Sequence, residues 1–203
     1  ADAGFVTVSI NYRLAPEHRW PAAVDDVAAA IESFHARSRE LSCDGTRIFL
    51  VGVSAGALFA EMHAAERPYT VDGVVSIGGP QDLTSLHGRW VDALLGDADR
   101  RAASPLYALR DDFPPTLLIH GEQDTVIPVS QSAEMRDALR ARRCDVELVR
   151  MPGLDHFQPR AQSFSECYPH IVHWLTGRSE ALASRNRPYD IASLWIGPST
   201  LGP

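Results

Sequence analysis

The chain predicts an α/β fold, a mostly parallel sheet with helices on both faces. Three observations lead there. Short β-branched runs alternate with amphipathic, alanine-rich segments. The runs are nearly continuous in apolar residues, as strands covered on both faces must be. With 203 residues, 45% of them hydrophobic, the chain is long enough for one domain with a substantial core.

The elements follow in chain order. FVTVSINY (5–12) reads as a strand, followed by a helical segment near 21–40. RIFLVGV (47–53) is a second strand and runs into a helix near 55–66. VDGVVSIGG (71–79) is a third, after which residues 80–114 form an insertion too long for an ordinary connection, with a helical pattern around Arg89 to Leu95. PTLLIHG (115–121) and VELVRM (146–151) complete the strands, each followed by a helical segment, near 129–143 and 160–176. These divide into a core over 1–176, carrying the lid-like insertion 80–114, and a tail over 177–203. The tail is rich in Gly, Pro and Ser but keeps an apolar patch, Ile191 to Ile196, and reads as a surface wrap or partner contact.

Composition narrows the function classes. Nineteen basic against 26 acidic side chains give a net charge of −7 with no run of like charges, which argues against nucleic acid or an anionic membrane as partner. The three cysteines, Cys43, Cys144 and Cys167, lack C-x-x-C spacing and read as reduced thiols of a cytoplasmic protein. No cofactor or metal site is expected, and no apolar run approaches a membrane span. The chain opens at Ala1 rather than a methionine, which leaves room for an upstream targeting segment absent from this sequence.

The candidate site follows from the sheet. Parallel strands end on one edge, and residues just past those ends converge on one crevice. Ser54 follows the strand 47–53, Asp124 follows 115–121 and His156 follows 146–151, so a nucleophile, an acid and a base share that edge. A serine hydroxyl needs an imidazole to take its proton and a carboxylate to fix the imidazole's tautomer. In G-V-S-A-G, Gly52 and Gly56 permit a sharp strand-to-helix turn that no larger residues would fit. The same turn aims the N–H of Ala55 at the point where a tetrahedral intermediate gathers negative charge. Asp82, past the strand 71–79, is a competing acid, and Ser54 as a simple helix cap is the plainer alternative for the nucleophile. Asp155 adjoins His156 too closely to reach its ring. Of eight histidines, His156 stands out because it follows the last of these strands; His120 lies within a strand end, and His170 and His173 fall in the final helix.

NYRLAPEHRWPAAVDDV (11–27), GVSAGA (52–57), HGEQD (120–124) and GLDHF (153–157) together resemble the hormone-sensitive-lipase branch of the α/β-hydrolases, including the related arylformamidases. The resemblance covers residues 5–176 and extends to the chain order Ser, Asp, His. It implies cofactor-free hydrolysis of short acyl esters by a Ser-His-Asp acyl-enzyme mechanism, with Pro16, Glu17 and His18 as structural braces. The alternatives it leaves are an arylformamidase acting on N-formylkynurenine-like amides and an inactive or ligand-binding relative. Val53 departs from the pattern, since esterases of the branch often carry Asp there and arylformamidases His. A formamidase would also need a cation for its substrate's carboxylate. In the insertion Arg89 and the Arg100–Arg101 pair are candidates, beside apolar Trp90, Leu94, Leu95 and Tyr107, though a solvated face is the favoured reading of those arginines.

The resemblance also implies three strands and an H-G-G-G oxyanion loop before the strand 5–12, and this chain carries no such glycine cluster ahead of Ser54. In the family's sheet order the third strand separates the fourth from the fifth, so a central slot is expected between 5–12 and 47–53. Unpaired backbone there is costly. The strands can pair directly, or the slot can be filled by an upstream segment, by another copy in a homo-oligomer, or by the tail. An isolated chain with the slot open would be poorly stable.

Overall fold

The computed structural model describes residues 4–41, 43, 47–156, 161–183 and 191–196. Six strands form one sheet, β1 (Phe5–Ile10), β2 (Arg47–Val53), β3 (Gly73–Ile77), β4 (Thr116–Gly121), β5 (Val146–Met151) and β6 (Ile191–Ile196). Their order is β1-β6-β2-β3-β4-β5, and every pairing is parallel. The helices are α1 (Ala22–Arg37), α2 (Ala55–Glu66), α3 (Arg89–Leu95), α4 (Pro105–Ala108), α5 (Ser130–Ala141) and α6 (Ala161–Ala183).

Side-chain alternation along the strands explains why helices must cover both faces. Ile48, Leu50, Val74 and Leu118 point into one cluster, with Val27 and Ile31 of α1, Leu58 and Met62 of α2, and Met135 and Leu139 of α5. Phe49, Val51, Val75, Ile77, Leu117 and Ile119 point into the other, closed by Cys167, Ile171, Trp174 and Leu175 of α6. Trp174 meets Phe49 edge-to-face at 6.0 Å, and Gly73 leaves room for that indole. Helix α2 is buried from Gly56 to Ala65, so its small residues reflect a helix enclosed on all sides.

The segment read as a surface wrap or partner contact lies instead inside the sheet, between β1 and β2. β6 aligns Ile191 with both Phe5 of β1 and Arg47 of β2 and stays in register to Ile196. The physical reason is the slot itself. Without a strand there, the facing edges of β1 and β2 would leave a row of buried backbone groups unpaired, and a short apolar run is enough to satisfy them. The slot is therefore closed from within the chain, and strand 5–12 does not pair directly with 47–53. The boundary expected at 176 falls inside α6, which continues to Ala183 despite Pro169 within it.

The insertion is tied down rather than loose. Gln131 of α5 accepts from the N–H groups of Gln81 (2.8 Å) and Asp82 (2.7 Å) and donates to the Asp82 carbonyl and Ser85 Oγ. Arg100 donates to the carbonyls of Leu83 and Leu86 and to Asp92. Beneath this lies Glu61 of α2, fully buried, whose Oε1 accepts from Gln81 Nε2 at 3.1 Å while its Oε2 has no partner among the described residues. Burial raises its carboxyl to about 7, against the lowering effect of the Gln81 bond and the neighbouring Ser76 hydroxyl. No helix among the described residues is long and apolar enough to cross a membrane.

Candidate active site

The turn after β2 is built by steric necessity. A Cβ on Gly52 would strike the Gly56 carbonyl oxygen and lie 2.5 Å from the Gly56 carbonyl carbon and 2.6 Å from Ala57 Cα, all backbone atoms that cannot step aside. Ser54 sits at φ 52°, ψ −119°, a conformation L-residues rarely adopt, and its N–H is anchored on the Ile77 carbonyl of β3 at 2.9 Å. The side chain makes no cap bond to α2, which removes the helix-cap reading. Ala55 opens α2, so its N–H has no intrahelical acceptor.

The structure brings Ser54, His156 and Asp124 into one hydrogen-bonded chain. Ser54 Oγ lies 2.9 Å from His156 Nε2, and His156 Nδ1 lies 2.7 Å from Asp124 Oδ2. The carboxylate side chain has no solvent exposure, and the imidazole is 11% exposed. Burial alone would raise the Asp124 carboxyl, but bonds from His120, His156 and the Ile127 N–H outweigh it and hold it well below the usual carboxylate range. An ionised Asp124 only accepts, so His156 Nδ1 carries the hydrogen and Nε2 is left to accept from the serine hydroxyl. Asp82 is not part of this chain; its oxygens accept from Thr84 and the Tyr107 hydroxyl.

Two residues that the motif reading passed over hold the constellation. Gly121, ending β4, has no room for a Cβ because the carbonyl oxygens of Leu154 and Asp155 pack against it, so the loop carrying His156 rests directly on the strand end. The Gln123 N–H donates to the Leu154 carbonyl at 2.9 Å, fastening the Asp124 and His156 loops together. His120, fully buried, has Nε2 2.8 Å from the Ile127 carbonyl and 3.3 Å from Asp124 Oδ2, with Nδ1 2.7 Å from Ser132 Oγ. The signal for both was the His-Gly pair four and three residues ahead of Asp124.

Two of the insertion's three candidate arginines are engaged elsewhere. Arg100 is bonded within the insertion as described above, and Arg101 stacks on the Tyr107 ring at 3.7 Å. Arg89 is exposed at the start of α3. Among the described residues no group of three or more His, Cys, Asp or Glu side chains is placed to hold a metal ion.

Comparison with known proteins agrees with this architecture. The family model described as BD-FAE matches residues 1–139. Esterase LipC of Mycobacterium tuberculosis is 35% identical over 184 residues, covering 77% of this chain and 46% of that protein. A truncated carbohydrate esterase from gut microbiota superposes with a TM-score of 0.73 at 22% identity, over 83% of this chain and 72% of that one. A hormone-sensitive lipase from a metagenome library does so with a TM-score of 0.67 at 24% identity, over 82% and 65%. These likenesses, with the all-parallel sheet, show an α/β-hydrolase fold. The chain spans about half the length of the curated relatives it matches.

Proposed function

The chain belongs to the BD-FAE family, and on that footing we propose that it is a serine hydrolase of short-chain carboxylic esters. The observation that carries the reading is the unbroken chain from Ser54 Oγ through both nitrogens of His156 to Asp124. In the proposed reaction Ser54 Oγ attacks the ester carbonyl carbon while His156 Nε2 takes the hydroxyl proton. Asp124 stabilises the imidazolium, and the Ala55 N–H donates to the oxyanion. Collapse of the tetrahedral intermediate breaks the bond to the alcohol, which leaves with the proton from His156. Water, deprotonated by the same nitrogen, then releases the acid from Ser54. No step calls for a cofactor.

Two further observations support ester over formamide and activity over an inert pocket. Arg100 and Arg101 are occupied by carbonyls and by Tyr107, so the insertion does not offer them for a substrate carboxylate. A pure binding protein has no use for the strained Ser54 backbone, which costs about 1–3 kcal/mol. Three cysteines without C-x-x-C spacing suit a protein of a reducing compartment, and on that composition we place it in the cytoplasm. The test is kinetic. Short p-nitrophenyl esters should be turned over with a higher kcat/KM than N-formylkynurenine, and Ser54→Ala should abolish both. The reverse ranking would make the protein a formamidase, and undiminished turnover by Ser54→Ala would dismiss the serine mechanism.

A further inference from the structure

We propose that His120 is a positioning residue which fixes the Asp124 carboxylate relative to the sheet, extending the chain of polar contacts to Ser132–His120–Asp124–His156–Ser54. The proposal builds on the ester-hydrolase reading for its kinetic test and stands apart from it for its spectroscopic one.

Polar chemistry fixes which nitrogen of His120 carries hydrogen. The Ile127 carbonyl, 2.8 Å from Nε2, can only accept, so Nε2 is protonated. The same Nε2 stands 3.3 Å from Asp124 Oδ2, within ion-pair distance, and Nδ1 is left to accept from the Ser132 hydroxyl at 2.7 Å. Every group involved is buried: His120 and Ser132 have no solvent exposure, nor does the Asp124 side chain.

The division of labour on the carboxylate gives His120 its importance. Asp124 Oδ1 accepts from the N–H groups of Val126 (2.9 Å) and Ile127 (2.8 Å), which belong to the same loop and travel with it. Oδ2, the oxygen that must meet His156 Nδ1 at 2.7 Å, has His120 Nε2 as its other polar neighbour, at 3.3 Å. His120 belongs to β4, whose neighbours β3 and β5 pair with it on both sides, and Ser132 ties the ring to α5. The loop amides therefore set the shape of the β4–α5 turn, whereas His120 sets where the carboxylate stands relative to the strand end. Gly121, next in sequence, seats the backbone of Leu154 and Asp155. One strand end thus locates both partners of the 2.7 Å bond. Misplacement of such groups by about 1 Å costs up to roughly 100-fold in rate.

Two variants of similar polarity separate positioning from general packing. In His120→Gln the side-chain amide N–H can reach the place of Nε2, keeping the bond to Asp124. In His120→Asn the shorter amide reaches only the place of Nδ1, keeping Ser132 and losing Asp124. On p-nitrophenyl butyrate, His120→Gln should retain kcat within about fivefold, while His120→Asn should lose roughly 10- to 100-fold with KM changed less than about twofold. Equal kcat values for the two folded variants, or a loss confined to KM, would overturn the proposal. Nitrogen-15 NMR of the unmodified 203-residue protein gives an answer independent of how the variants fold. The expected result is His120 protonated at Nε2 with Nδ1 bare, and the opposite tautomer would refute the assignment. If no ester is turned over, the ester-hydrolase reading fails alone. The positioning role is then read from the His156 Nδ1 proton resonance, expected to persist in His120→Gln and to be lost to exchange in His120→Asn. Its persistence in both would count against His120.

Discussion

Replacing Glu61 by Gln should stabilise the protein at pH 8 and do little at pH 4. The wild-type carboxyl is fully buried, has one oxygen without a partner among the described residues and is raised to about 7 by burial. In the unfolded chain it ionises near the ordinary value of 4.5. Between those values the folded state holds more protons than the unfolded state, so rising pH favours unfolding. The stability associated with the neutral acid is complete below about 4.5, declines as pH rises and is lost above about 7. At about 1.4 kcal/mol per pH unit the difference between the two plateaus is roughly 3 kcal/mol. Glutamine has the shape of the neutral acid, can accept from Gln81 Nε2 as Glu61 Oε1 does, and does not ionise. Urea denaturation of both proteins at pH 4 and pH 8 measures the effect. For a chain of this size roughly 3 kcal/mol corresponds to a rise in Tm of about 6–12 °C at pH 8. A Glu61→Gln difference of the same size at both pH values would show that Glu61 does not change its protonation in this range. A variant less stable than wild type at pH 8 alone would show that the ionised carboxylate is favourably held, contrary to its unpartnered Oε2.

Three other outcomes follow from particular contacts. Gly52→Ala drives a Cβ into the Gly56 backbone, and should cost about 1–3 kcal/mol in urea melts while abolishing ester turnover by displacing Ser54. Leu194→Pro removes a backbone N–H from a strand paired on both sides, with Val8 and with Leu50, and should lower stability by roughly 2–3 kcal/mol; an unchanged melt would mean β6 is not in the sheet. Asp124→Asn should lower kcat by about 10⁴-fold. Because the native carboxyl lies below its ordinary range, its ionised form contributes stability above that range, lost only as pH falls through the depressed value. The variant should therefore be less stable at pH 7 and show a weaker acid dependence in thermal melts between pH 2 and 5.

The strands β2 and β5 and the helices α2 and α3 were legible to the residue, because an apolar run or a helical period is a local property and G-V-S-A-G marks the turn between β2 and α2. The meeting of Ser54, Asp124 and His156 was legible for a topological reason: each follows a strand, and parallel strands end on one edge. What the sequence withheld depends on partners distant along the chain. IASLWI has the composition of a strand, yet only the slot between β1 and β2 decides that it enters the sheet. α6 passes Thr176 because Ile171, Trp174 and Leu175 are already docked on the sheet, and such packing outweighs the breaking signal of Gly177. His120 looked like one more strand residue. Its importance appears only when the β4–α5 loop folds back so that Asp124 and the Ile127 carbonyl both meet its Nε2.

In the proposed reaction one serine, activated by His156, does the chemistry. A fluorophosphonate probe reads it directly, since the phosphorus is attacked only by an activated hydroxyl and the adduct can be located by peptide mass spectrometry. The protein should take up one probe per chain, on the peptide containing Ser54. Labelling should vanish in Ser54→Ala and slow by at least about 10³-fold in His156→Ala. An adduct on another serine, or labelling that persists in Ser54→Ala, would contradict the account.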